Sequence, residues 1–339
     1  MPRFIEMICG LGSKQNRNRS SSMGISENMI GLLSALFKLL IFPGFGFLFV
    51  CALAFQWIDR RVAARLQGRV GPPWFQPLAD LIKLMAKEDV LPSGASEWIC
   101  AALPMLSLAA VLTAALHVPV GPHSIVDFEG DLIVTLFLLS IPTLSYFLAG
   151  WVSVSVFSIV GGNRSLLQYF SYEVPFLMAL SGPAILHGSW SISHIAESQA
   201  IWTALVQPLG FILALVGLIG KLKRSPFDIP KAKSEIGAGP LTEFSGRKLM
   251  FWHLTMHLST VVGIFLLVNM FIGGDGSGAI LLTSLSFSVK ALGILLLLSI
   301  SSVLYARLRI DQLANLGWQI LAPLALLQLF ATIWIGTGR

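Results

Sequence analysis

Long runs of apolar residues, broken by short polar stretches, set what this chain can fold into. About 20 apolar residues in a helix cross the hydrocarbon core of a bilayer. Backbone polar groups inside lipid have no water to bond, so only helices and closed barrels span it. The runs here are long and lack the roughly ten-residue alternation of a membrane strand. They place eight spans near residues 30–57, 98–118, 131–158, 172–188, 201–220, 248–272, 278–304 and 313–336, the fourth being short and open to an earlier start near Leu166. Composition agrees: the chain is 55% hydrophobic and 12% charged, where soluble domains carry roughly a quarter charged residues. The expectation is an all-α integral membrane protein. A polar, serine-rich tail covers 1–29, and Met23 and Met29 leave a later start open. A single eight-helix membrane domain covers 30–339, with cytoplasmic loops at 58–97, 159–171, 221–247 and 305–312.

The connections alternate in charge. The odd ones hold Arg60, Arg61, Arg65, Arg69, Lys83 and Lys87, then Arg164, then seven cations between Lys221 and Lys248, then Arg307 and Arg309. The even ones hold no Lys or Arg, only groups such as His123, Asp127, Glu129, His194, Glu197 and Asp275. Basic loops stay on the cytoplasmic side, so the chain is expected in the cell membrane with both termini outside. The four cations of the tail oppose this, and the sixteen loop cations outnumber them. Within the first connection, Leu78, Leu81, Ile82 and Met85 recur at helical spacing, with Asp80, Lys83 and Lys87 on other faces. That pattern predicts an amphipathic helix at the membrane interface. Pro142 and Pro183 are expected to kink the third and fourth spans.

Several functions are excluded. The basic residues lie in loops between spans, so the net charge of +6 does not indicate nucleic acid. Cys9, Cys51 and Cys100 share no close spacing, and no zinc or iron–sulfur site follows. No phosphate-binding glycine motif stands beside a strand. Any redox cofactor must therefore belong to partner chains, and no metal site is assigned.

What remains is charge in unusual places. The segment KLKRSPFDIPKAKSEIGAGPLTEFSGRK (221–248) carries Asp228, Glu235 and Glu243 among its seven cations, with Pro226 and Pro230 stiffening its start. It reads either as a working loop or as a solvated connector whose cations only orient the protein. A charge within the bilayer costs at least ~2.5–3.5 kcal/mol even on insertion scales, so exceptions are informative. Glu173, in LLQYFSYEVPF, lies near the start of the fourth span and is expected within reach of Arg164 if the chain folds back. It is either a proton-exchanging carboxylate or half of a structural ion pair. Lys290, midway along the seventh span, is either a switchable charge or a packing contact. His253 and His257 share a helix face and admit a metal, but ordinary packing or hydrogen bonding to the loop carboxylates explains them as well.

Three blocks, ARLQGRVGPPWFQPLADLIKLMAKEDVLP (64–92), GGNRSLLQYFSYEVP (161–175) and SPFDIPKAKSEIGAGPLTEFSGRK (225–248), resemble subunit 1 (the H subunit) of respiratory complex I and its relatives in membrane-bound [NiFe] hydrogenases. Their order and loop positions match that family's eight-span plan over roughly residues 30–336. The resemblance implies a coupling subunit on which a peripheral redox arm docks. Glu173 matches the SYE glutamate; Glu235 and Glu243 match two acids of the loop after the fifth span, and Asp228 the aspartate of PFD. Arg65, Arg69, Asp80 and Lys83 match charged residues of the first connection. Implied partners are hydrogenase-like large and small subunits bearing iron–sulfur clusters and Ni-Fe, antiporter-like membrane subunits, the lipid bilayer and, indirectly, ferredoxin. Two departures stand out. The segment Gly71–Pro77 is shorter than in complex I, and an acidic run has become Lys231-Ala232-Lys233-Ser234-Glu235. Both favour a ferredoxin-linked complex moving H⁺ or Na⁺ over a quinone-reducing one. A quinone-site subunit, an independent secondary transporter and a purely structural anchor remain the rival expectations.

Overall fold

The structure, a computed structural model, describes residues 40, 44–92, 94–121, 125–273 and 280–337. Residues from Leu48 onward form one compact unit that holds the helical bundle. Among the described residues every regular element is helical. The helices are α1 (Phe45–Leu66), α2 (Gln76–Met85), α3 (Glu97–His117), α4 (Asp131–Val152) and α5 (Val156–His187). Short helices α6 (Ile192–Ser198) and α7 (Thr203–Val206) lead into α8 (Pro208–Lys221). After α9 (Lys233–Ile236) and a 3₁₀ turn (Gly239–Leu241) come α10 (Gly246–Phe271) and α11 (Ile280–Leu304). The last helical stretch is α12 (Ile310–Asn315), a π-helical turn (Leu316–Leu321) and α13 (Ala322–Thr337).

Among the described residues, five helical stretches are long and apolar enough to cross a membrane: Glu97–His117, Asp131–Val152, Gly246–Phe271, Leu282–Leu304 and Ile310–Trp334. The eight expected spans meet this structure unevenly. The tail at 1–29 and much of the first span lie outside the described residues. The third ends at Val152, where a non-helical turn places Val154 at φ 55°. Residues 159–171, expected as a loop, are helical and join the fourth segment in the 32-residue α5. The helix continues through Pro175 and Pro183. The fifth segment breaks at Gln207, and α8 keeps only 14 residues, which at 1.5 Å each reach about 21 Å.

Helix α5 is the hub, packed by α4, α8, α13 and the 3₁₀ turn, while α3 joins α4 to α10. Small residues let the backbones approach. A Cβ at Gly220 would stand 2.9 Å from the Tyr172 ring, and one at Gly161 only 2.7 Å from Pro240. The expected helix over 75–86 is present as α2. Leu81 packs inward, while Leu78, Ile82 and Met85 are exposed; the helix leans on α10.

The basic connections converge at one end of the bundle. Arg307 donates to the Ile229 carbonyl at 2.9 Å, Leu308 N–H to Pro226 O at 3.1 Å, and Arg224 reaches Asp59 at 2.8 Å. The acid-bearing connections meet at the other, where Ile192 N–H donates to Asp131 at 2.7 Å and Ser191 to Asp127 at 2.8 Å.

Candidate functional site: a buried ion pair beneath a charged loop

Glu173 sits on α5 only 4% exposed. Its partner is Lys221, the last residue of α8, whose Nζ lies 2.7 Å from Oε1 and 2.9 Å from Oε2. Ser140 on α4 donates to the same Oε1 at 2.5 Å, and the Lys221 ammonium lies 5.1 Å from the Phe176 ring centre. The side chains come from three helices packed closely enough to exclude solvent. Desolvating both ions is costly, and the charge-assisted hydrogen bonds in good geometry offset that cost. Removing one partner strands the other charge.

Arg164 is therefore not the partner expected for Glu173. Both stand on α5, and nine residues at 1.5 Å separate them by about 13 Å along the axis. Arg164 instead donates to Glu235 at 2.5 Å, with Arg307 3.7 Å from the same carboxylate. The Arg164 hydrogen bond and the Arg307 charge hold the exposed Glu235 carboxyl below the ordinary glutamate range. One helix thus touches the 221–248 loop through Arg164 and the buried pair through Glu173.

A row of hydroxyls extends the site. Ser140, Thr143 and Tyr146, three residues apart, share a face of α4. Thr143 Oγ1 lies 3.4 Å from the Tyr172 hydroxyl and 3.5 Å from Lys223 Nζ. Lys223 lies over the Tyr146 ring, 4.7 Å from its centre. An apolar groove of about 540 Å³ between α4 and α5, lined by Phe137, Tyr169 and Leu177, reaches Ser140 and Glu173 from the outer face.

The other expected residues are spread around this centre. Asp228 and Glu243 are half-buried within the loop. Asp80 on α2 bonds Arg60 at 2.6 Å and Gln76 at 2.8 Å. Burial raises its carboxyl, but those hydrogen bonds and the Arg60 and Lys83 charges outweigh it and hold the group low. Arg65, Arg69 and Lys83 are exposed. Lys290 donates to Gly273 O, just past the end of α10, at 3.3 Å, and its ammonium lies 5.7 Å from the Trp202 ring centre. His253 and His257 lie beside α2, lining a cavity of about 320 Å³ with Arg60 and Asp80. No group of three His, Cys, Asp or Glu side chains placed to hold a metal occurs among the described residues.

Sequence reading missed Lys221 as the counter-ion, Ser140 as its hydroxyl partner and Asp59. The last accepts from Arg224 at 2.8 Å and Ser299 at 2.6 Å, tying the loop to α1 and α11. A lone acid after an apolar run, beside Arg60 and Arg61, was the signal for Asp59. Lys221 ends an apolar run and reads as a boundary.

A family model described as NADH dehydrogenase matches residues 38–333. The H subunit of the NADH-quinone oxidoreductase of Dehalococcoides mccartyi (strain ATCC BAA-2266 / KCTC 15142 / 195) is 34% identical over 295 residues, covering 85% of this chain and 83% of that protein. An H subunit of the NADH-quinone oxidoreductase of Geobacter metallireducens is 37% identical, covering 82% and 89%. Among solved structures, a chain of the membrane-bound sulfane sulfur reductase, an archaeal respiratory membrane complex, superposes with TM-score 0.80 at 28% identity, covering 89% of this chain and 99% of that one. With the family match spanning nearly the whole helical region, the chain belongs to the NADH dehydrogenase family of complex I subunit 1, the H subunit.

Proposed function

We propose that this chain is the membrane-embedded coupling subunit of a complex I-like, ferredoxin-linked oxidoreductase of the membrane-bound hydrogenase type. The observation that carries the reading is the Glu173–Lys221–Ser140 cluster, buried directly beneath the 221–248 loop and joined to it twice. Lys221 begins that loop, and α5 meets it again through Arg164 and Glu235. The likeness to a sulfane sulfur reductase chain adds weight to a hydrogenase-type partner set.

In this mechanism the peripheral arm docks on the basic end, over Arg65, Arg69, Asp80, Lys83 and Arg164. Reduction in that arm shifts the loop through Glu235, Asp228 and Glu243. The shift draws the Lys221 ammonium from Glu173. A desolvated carboxylate without its counter-ion favours its protonated form, so Glu173 takes up a proton and releases it when Lys221 returns. Two loop positions that differ in proton affinity are what coupling requires. Neighbouring antiporter-like subunits then move H⁺ or Na⁺, with Lys290 on the flank toward them. The chain holds no redox centre in this reading; iron–sulfur clusters and Ni-Fe belong to its partners. The full eight-span plan, the interfacial position of α2 and the outward termini belong to the same proposal.

The test is Glu173→Gln in the assembled complex. Redox activity is expected to persist while ion translocation per electron falls sharply; translocation at the wild-type level would sink the assignment. A second reading, a quinone-site subunit, draws on the cavity of about 320 Å³ beside α2 and on the quinone-linked relatives. Electron transfer to added quinone, lost on blocking that cavity, would favour it.

A further inference from the structure

Behind the loop lies a second cavity of about 400 Å³ lined by the cations Arg60, Lys223, Arg224 and Lys231, by Asp59 and by the imidazoles of His253 and His257. Three of these cations have partners: Arg224 has Asp59 at 2.8 Å, Arg60 has Asp80 at 2.6 Å, and Lys231 is also engaged, with Met256 Sδ at 3.1 Å among its contacts. Lys223 stands apart. It is 8% exposed, and its Nζ has Thr143 Oγ1 at 3.5 Å and the Tyr146 ring face at 4.7 Å, with no carboxylate paired to it among the described residues. Its backbone is left-handed, φ 50°, a conformation costly for a residue with a Cβ and concentrated at working sites. A buried ammonium is unfavourable without an opposing charge. Burial and the Lys231 and Lys221 ammonium groups hold Lys223 well below the ordinary lysine range, against the pull of Glu173. The remaining walls include Leu222, Leu241, Leu249 and Met256, so the space suits a charged head with an apolar body beside it.

We propose that this cavity binds a phosphate group, with Lys223 Nζ as its principal donor. The phosphate is either the free ion or the headgroup of a bilayer lipid. Binding supplies Lys223 with an opposing charge, and it fixes the loop between α4 and α10.

The experiment uses the complex purified in mild detergent and stripped of lipid. Titration calorimetry is run with inorganic phosphate and with a short-chain phosphatidic acid, on wild type, Lys223→Gln and Lys223→Arg. Lys223→Gln is expected to weaken binding about tenfold or more, because it removes a charge-assisted donor. Lys223→Arg keeps the charge and should stay within about threefold. Binding of phosphatidic acid alone assigns the site to a lipid headgroup; equal binding of both assigns it to the phosphate itself. No binding to wild type at about 10 mM, or wild-type binding by Lys223→Gln, would overturn the proposal. If the variants fail to assemble, reductive methylation of wild-type Lys223, followed by mass spectrometry, replaces them. Phosphate ligands must slow it, and an unchanged rate overturns the site. Neither readout involves ion translocation, so the outcome stands apart from the coupling reading.

Discussion

The two ends of the bundle hold their acids in different ways. At the basic end carboxylates pair with cations: Asp80 with Arg60, Glu235 with Arg164, Asp59 with Arg224 and Asp89 with Arg247. At the other end Asp127, Glu129 and Asp131 accept from Ser191 Oγ, Trp190 N–H and Ile192 N–H at 2.8, 2.9 and 2.7 Å. Those loops contain no Lys or Arg to pair with. Ion pairs between long side chains exchange partners at little cost when exposed. Backbone N–H donors cannot move without moving the chain. One end is therefore built to rearrange and the other to stay put, and the Glu173–Lys221 pair lies on the side that rearranges.

The strongest way to break this contrast is Lys221→Met, which leaves Glu173 buried without its cation. A loss of about 3–5 kcal/mol is expected, read as the temperature at which the detergent-solubilised complex loses this subunit. Adding Glu173→Leu should recover most of it; no recovery would mean that the pair is not the unit described. Next comes Asp131→Ala at the fixed end. It strands the Ile192 N–H and should cost about 1–3 kcal/mol, while translocation per electron stays at the wild-type value. A coupling defect in that variant would erase the distinction between the ends.

The smallest effects belong to the exposed pairs. Asp80→Asn should cost no more than about 1 kcal/mol, falling further as salt is raised. For Glu235 the sign follows from its lowered carboxyl. The pair's contribution is fully present above the ordinary glutamate value of 4.5 and is lost as pH falls through the lower folded value. Thermal unfolding across that window should show a small acid-side loss in wild type that Glu235→Gln lacks.

Much of this was legible in the sequence. Helical spacing of Leu78, Leu81 and Met85 marked α2, a lone acid in an apolar stretch singled out Glu173, and the charged loop with its family resemblance singled out Glu235. The counter-ions were not legible. Lys221 lies 48 residues from Glu173, and only the packing of α8 on α5 brings them together. Arg164 looked nearer in sequence, but helical rise carries it about two and a half turns away. The run 159–171 was expected as a loop and Pro183 as a kink, whereas α5 is one helix across both. The latches at Asp127 and Asp131 join segments more than 60 residues apart, and no local pattern announces such a pairing.

The π-helical turn at Leu316–Leu321 has one more consequence. Such a turn amounts to one residue inserted into an α-helix, and it sets the rotational phase of everything after it. Gly317 within it packs on the Ser171 carbonyl, and with this phase Gln328 points at Gln207, 3.4 Å away between α13 and α8. Deleting a single residue from the turn would restore regular winding and swing α13 by about 100°. The Gln328 amide would then face away from its partner, with an apolar residue in its place. The extra residue works as a clocking element, and the helix it indexes shares α5 with Glu173.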